Sequence, residues 1–105
     1  MIAADAAIAD LRRRFRQRAF EDAAEIERLA EGLEAAAPDV GTREYVRRVA
    51  HKLAGAAGTF GFASIGDCAA QLEDMAVSPE TDAEVAEACR TVAVQIRGAI
   101  TADIS

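Results

Sequence analysis

The sequence predicts an all-α fold, an up-and-down antiparallel four-helix bundle with an N-terminal helical extension. Three observations carry this. Alanine supplies 26 of the 105 residues, whereas there are two prolines and aromatic residues make up 5%, a composition that favours helix over strand. Apolar residues recur at spacings of three and four along most of the chain. The segments with that period run to about 14 to 20 residues and are joined by short connections, the condition for antiparallel neighbours in a bundle. One domain is expected over residues 1–105, large enough to bury somewhat over about 60% of its unfolded surface.

Each element follows from its own signals. Ile8, Leu11 and Phe15 have helical spacing, and the register resumes with Ala19, Ala23, Ile26, Ala30 and Leu33. The stretch from about Ala4 to Ala36 fits one bent helix or two helices broken near Arg18 to Phe20. Pro38, Asp39 and Gly41 then mark a loop. Thr42 is the expected N-cap of a helix running to about Phe60, and Gly61 stands where a left-handed residue ends such a helix. Ser64-Ile65-Gly66-Asp67 matches a capping box with Asp in place of Glu or Gln, so a third helix starts there and carries Ile65, Cys68, Ala69, Leu72 and Met75 to about Val77. The last helix starts either at Ser78-Pro79 or at Thr81 with Glu84 three residues on. Its buried positions are Val85, Ala88 or Cys89, Val92, Ile96, and Ala99 or Ile100.

Composition also excludes several functions. A net charge of −6 argues against nucleic acid and anionic membranes as partners, because phosphate-rich surfaces demand a basic face. Arg12, Arg13, Arg14, Arg16 and Arg18 are a local exception, read as a solvated face balanced by the acids from Glu21 onward or as a docking patch for an acidic partner. Cys68 and Cys89 have no metal-site spacing and read as small buried hydrophobes. No apolar run approaches the roughly 18 residues of a membrane span and no signal pattern opens the chain, so a cytoplasmic location is expected.

His51 is the one histidine, and its helix shows where it points. At about 100° per residue, Val46, Val49, Leu53, Ala57 and Phe60 gather on one side and His51 lies nearly opposite. The imidazole should therefore face water. Arg47, Arg48, Ala54 and Gly55 lie a turn away and Gly58 one turn beyond. A glycine inside a helix costs about 0.8 to 1 kcal/mol relative to alanine, and two of them on the histidine side suit close approach of another macromolecule. A neutral imidazole with one nitrogen exposed can attack an electrophile, provided a partner on the other nitrogen fixes the tautomer. An antiparallel helix after the Gly61 turn returns past His51 about twenty residues later, which makes Glu73 a candidate partner and Gln71 its competitor.

The run His51-Lys52-Leu53-Ala54-Gly55, with Ala57, Phe60 and Gly61, resembles the histidine-containing phosphotransfer (HPt) domains of two-component phosphorelays. The resemblance is strong over about residues 44 to 76; the flanking helices fit in number and length. It implies a four-helix bundle in which His51 accepts a phosphoryl group, Gly55 keeps its face open, and Glu73 occupies a position where Gln or Glu commonly bonds the imidazole. Many members carry Lys three residues after the histidine, where this chain has Ala54. Arg47 and Arg48 are then the ranked substitutes for that cation, with Lys52 behind them.

The implied reaction is phosphoryl exchange with the aspartate of a response-regulator receiver domain, in either direction, with a hybrid histidine kinase as a further partner. The receiver would supply Mg²⁺; no cofactor or metal is expected on this chain. It has no Gly-rich phosphate loop and is not expected to phosphorylate itself from ATP. The alternative is a helical adaptor that docks on a receiver or kinase by the same face without taking up phosphate, a reading kept open by Ala54. A hydrolase is disfavoured because an exposed convex helix offers no pocket, and a metal site because one histidine cannot close one.

Overall fold

The computed structural model describes residues 3–104; Met1, Ile2 and Ser105 of the expected 1–105 domain lie outside the described residues. Four helices follow one another: α1 (Ala3–Leu33), α2 (Gly41–Thr59), α3 (Ala63–Ala76) and α4 (Asp82–Ile104). Each packs on its neighbour in sequence and α4 returns to α1, which closes an up-and-down bundle. The expected fold class holds. The extension is not a separate helix but the first turns of α1, which continue without a break through Arg18 to Phe20. Strong helix formers and the i,i+4 contacts Arg14 to Asp10 at 2.9 Å and Gln17 to Glu21 at 3.1 Å support that continuity.

At 31 residues, α1 spans about 46 Å and outruns its neighbours, which gives the molecule its 55 Å long axis. Ile8 and Leu11 therefore keep the apolar register but stay 56% and 45% exposed, and burial begins at Phe15. From there Ala19, Ala23, Ile26, Ala30 and Leu33 line the core against Val46, Leu53, Ile65, Leu72, Val85 and Ile96. On α4 the two open positions resolve to Cys89 and Ile100 as the buried members, with Ala88 and Ala99 partly buried. On α3 Ala76 is buried and Met75 only half so. Both cysteines are buried and free, and burial pushes the Cys89 thiol up to about 11.

Three helix starts test the capping signals. Thr42 is not the N-cap of α2, which has Val40 there and begins two residues earlier than expected, at Gly41: Gly41 N donates to Asp39 Oδ1 at 2.7 Å and Thr42 N to Asp39 O at 3.0 Å. Thr42 turns instead toward α1, its methyl 3.6 Å from where a Cβ on Gly32 would stand. The Ser64 to Asp67 capping box does not form either, because α3 starts at Ala63 behind the buried Phe62 with no side-chain cap. The start of α4 is the Thr81 alternative: Glu84 N donates to Thr81 Oγ1 and Thr81 N to Glu84 Oε1, both at 3.1 Å, a reciprocal capping box.

The α2–α3 turn is the tightest joint. α2 ends at Thr59, one residue short of expectation, with Phe60 as C-cap. Phe62 N donates to Ala57 O at 2.9 Å and Gly61 N to Gly58 O at 3.4 Å, the bond pair of a Schellman motif. Gly61 takes φ +80° there, as the motif requires. Phe15 stacks on Phe60 and Phe62 with ring centroids 5.5 and 5.2 Å away. Arg12 donates to Phe60 O and to Asp103 and lies over the Phe62 ring, so α1 holds both the turn and the end of α4. The arginine run is thus balanced by Asp10, Asp22 and Asp103, not by the acids that follow Glu21 alone. Among the described residues no helix is long and apolar enough to cross a membrane.

Candidate functional site

The core side of α2 is Val46, Ala50, Leu53 and Ala57. That places His51 on the outer face near the middle of the helix, with a side chain 68% exposed. The Schellman turn sends α3 back antiparallel, so Glu73 arrives beside His51. His51 Nδ1 lies 2.7 Å from Glu73 Oε2. A carboxylate accepts and does not donate, so the contact assigns the proton to Nδ1 and leaves the Nε2 lone pair toward solvent. Gln71 is on a different face, in the groove between α3 and α4 with Cys68 and Met75, and is not the partner of the imidazole.

Glu73 is three-quarters buried, at 25% exposure, and Arg47 Nη1 stands 3.8 Å from its Oε2. Arg47 is itself held by Glu44, with Nε to the two carboxylate oxygens at 3.1 and 2.9 Å and Nη2 to Oε1 at 2.7 Å. Arg48 Nε approaches the same carboxylate at 3.5 Å. The Arg47 hydrogen bond, more than the charge of either arginine, holds the Glu44 carboxyl below the usual carboxylate range, and the same bond raises Arg47. Lys52 is exposed and makes no ion pair among the described residues. With Tyr45, Val49, the two arginines and His51 it lines a shallow depression of about 380 Å³. Arg47 and Arg48 thus lie on the rim of the same depression as the imidazole, and Lys52 stands between it and the α1 groove that holds Asp22.

A Cβ built on Gly55 or Gly58 meets no atom within 4 Å. No packing contact among the described residues requires these glycines, which cost the helix about 0.8 to 1 kcal/mol each and keep this stretch of α2 free of side chains. Ala54 sits at the edge of that surface, half-buried toward α3, where a Cβ on Gly66 would lie 3.7 Å from its carbonyl oxygen. A longer side chain at Ala54 would emerge between His51 and α3.

Sequence reasoning put forward His51, Glu73, Arg47, Arg48, Lys52, Ala54, Gly55 and Gly58; the structure puts His51 and Arg47 against Glu73, sets Arg48 and Lys52 along the same depression as His51, turns Lys52 also toward the α1 groove with Asp22, and leaves the positions of Gly55 and Gly58 open. It passed over Glu44, which organises both arginines. The signal was available: seven residues before His51, Glu44 lies within about 20° of the same meridian. It also passed over Arg43, whose partners are main-chain oxygens that no sequence pattern displays.

Comparison with curated proteins and with solved structures returned no match. Residues 10–103 match the family model described as Hpt domain.

Proposed function

Because the chain belongs to the Hpt domain family, whose members carry phosphoryl groups on histidine in phosphorelays, we propose that His51 is the acceptor and exchanges phosphate with the aspartate of a receiver domain. The observation that carries this is the Glu73 contact on a solvent-facing imidazole. In the step, the Nε2 lone pair attacks phosphorus in line with the aspartyl P–O bond. That bond breaks and its electron pair leaves with the receiver carboxylate. The proton stays on Nδ1, where Glu73 offsets the positive charge that the ring acquires. The reverse step regenerates the aspartyl phosphate.

Phosphoryl transfer of this kind depends on positioning and charge, and each residue has a place in that division. Glu73 orients the ring; Gly55 and Gly58 let the receiver close over it. Arg47, Arg48 and Lys52 supply the positive field in place of the cation that Ala54 lacks. Glu44 keeps both arginines near the ring before a phosphoryl group arrives. Mg²⁺ belongs to the receiver pocket, and a hybrid histidine kinase is a further partner.

The test is to mix the protein with a labelled phospho-receiver. Label should pass to an adduct stable to base and labile to acid, and should be absent in His51→Gln. Binding without label uptake would favour a docking adaptor and overturn the acceptor role.

A further inference from the structure

Arg43 is bound more completely than any role in solvation requires. Nε donates to Ala76 O at 3.1 Å; Nη2 donates to Met75 O at 3.0 Å and Ser78 O at 2.8 Å; Nη1 donates to Glu80 O at 2.6 Å and Asp82 Oδ1 at 3.2 Å. These use all five N–H donors of a guanidinium. Four of the acceptors are main-chain carbonyls at the end of α3 and in the connection to α4. The last carbonyls of a helix have no partners within it, and here a side chain of the neighbouring helix supplies them. A lysine has three donors on one flexible point and cannot reproduce such a fork.

The placement gives this cap a consequence for the site. Arg43 is eight residues before His51 on α2, about 12 Å along the helix, and Met75 is two residues after Glu73 on α3. At the opposite end of the same pair stands the Schellman turn. Next to it Gly66 brings α3 close to α2, a Cβ there lying 3.6 Å from that of Ala57. The two helices are therefore pinned at both ends with the imidazole and its carboxylate between the pins. An antiparallel pair held at one end only can slide or splay at the other, and His51 and Glu73 meet through a single contact.

We propose that Arg43 is a positioning residue of the site: by tying the C-terminal end of α3 to α2 it sets the register at which Glu73 meets His51. Its effect on transfer rests on the acceptor role proposed above, but its effect on the ring does not. Because His51 is the only histidine, long-range proton–nitrogen NMR of the untagged protein reads its tautomer without ambiguity. The wild type should hold the proton on Nδ1. Arg43→Ala should shift the population toward Nε2–H, as Glu73→Ala does, and the double variant should match Glu73→Ala alone, because two changes on one chain of cause are not additive. Arg97→Ala, which removes an α4 contact to Glu27 on α1, should leave the ring unchanged and separates positioning from general loosening.

Transfer from a labelled phospho-receiver should fall several-fold in Arg43→Ala, and the double variant should be no slower than Glu73→Ala alone. Where Arg43→Ala does not fold, Arg43→Gln, which keeps part of the packing and gives up most of the donors, carries the same measurement. A folded Arg43 variant with the wild-type tautomer overturns the proposal, as does a double variant shifted beyond Glu73→Ala. If no receiver phosphorylates His51 while the tautomer still follows Arg43, the acceptor role fails and the positioning role stands.

Discussion

The α2–α3 pair and the α1–α4 pair are built by different means. α2 and α3 are consecutive, joined by a hydrogen-bonded turn, brought close by Gly66, and tied at the far end by Arg43. α1 and α4 are the first and last helices; across the rim of their apolar seam run the partly exposed pairs Arg97 to Glu27, Arg90 to Glu34, and Arg12 and Arg16 to Asp103. Hydrogen bonds to main-chain groups fix a register, whereas long charged side chains on a wet surface follow one another through small displacements. The site lies on the pair whose register is fixed. The α1–α4 pair contributes core and reaches the α2–α3 pair at its turn, through Arg12 and Phe15, with no ion pair of its rim on His51 or Glu73 among the described residues.

That contrast breaks first at His51. His51→Gln should abolish label uptake from a phospho-receiver while leaving helical content and melting temperature near wild type, since the side chain is exposed and buried apolar area does not change. Circular dichroism and a phosphotransfer assay decide it. Retained uptake would move the acceptor elsewhere, and cooperative destabilisation by several kcal/mol would contradict the exposure.

What the sequence made legible divides along the same line. Periodicity located all four helices and most of the core, and the opposed faces of α2 placed His51 in solvent because that calculation needs only local geometry. Glu73 was reachable because a tight turn makes the return path of α3 computable. Features that depend on tertiary neighbours were not legible. Thr42 and Ser64 carry the right side chains for caps, yet Asp39 takes the first N–H groups of α2 and Phe62 is buried ahead of α3, and both helices start earlier. The cap by Arg43 was invisible for the same reason: its acceptors belong to the backbone of a helix more than thirty residues away. The continuity of α1 was undecided because exposed Phe20 interrupts the apolar pattern without interrupting the helix.

The two pairs meet at Phe15, where α1 stacks on the α2–α3 turn. Phe15→Ala should lower stability by about 3 to 5 kcal/mol, the usual cost of emptying a buried aromatic site, measured by urea unfolding. Below the melting point the folded fraction should transfer label at close to the wild-type rate, because the turn keeps its own hydrogen bonds. A change of less than about 1 kcal/mol would mean that the joint carries little of the core.

On the outer face of α2, stability and activity should part in opposite directions. Gly55→Leu adds a side chain where nothing lies within 4 Å of a Cβ, so the fold should gain about 0.5 to 1 kcal/mol from helix propensity. The same side chain should obstruct the receiver and cut transfer at least tenfold, equivalent to about 1.4 kcal/mol. Thermal melts and a transfer time course give the two signs independently. Normal transfer in a stabilised variant would sink the claim that this surface must be flat.

The smallest effect belongs to the α1–α4 rim and depends on pH. The Arg97 hydrogen bond is the main cause that lowers the Glu27 carboxyl from 4.5, and the Arg90 hydrogen bond does the same for Glu34. A carboxyl more acidic in the folded state contributes stability that is complete above its unfolded value and is lost as pH falls through the folded one. The contribution should therefore be present at about pH 7 and should disappear below 4.5. Glu27→Gln with Glu34→Gln should melt slightly below wild type at neutral pH and coincide with it once both carboxyls are protonated. Near 1 M salt, where screening acts over about 3 Å, the neutral-pH gap should narrow as well. The tautomer of His51 should be the same in the variant as in wild type, because these ion pairs hold the other half of the bundle. A shift of the ring in this variant would show that the two pairs are coupled and that the site draws on the whole bundle for its register.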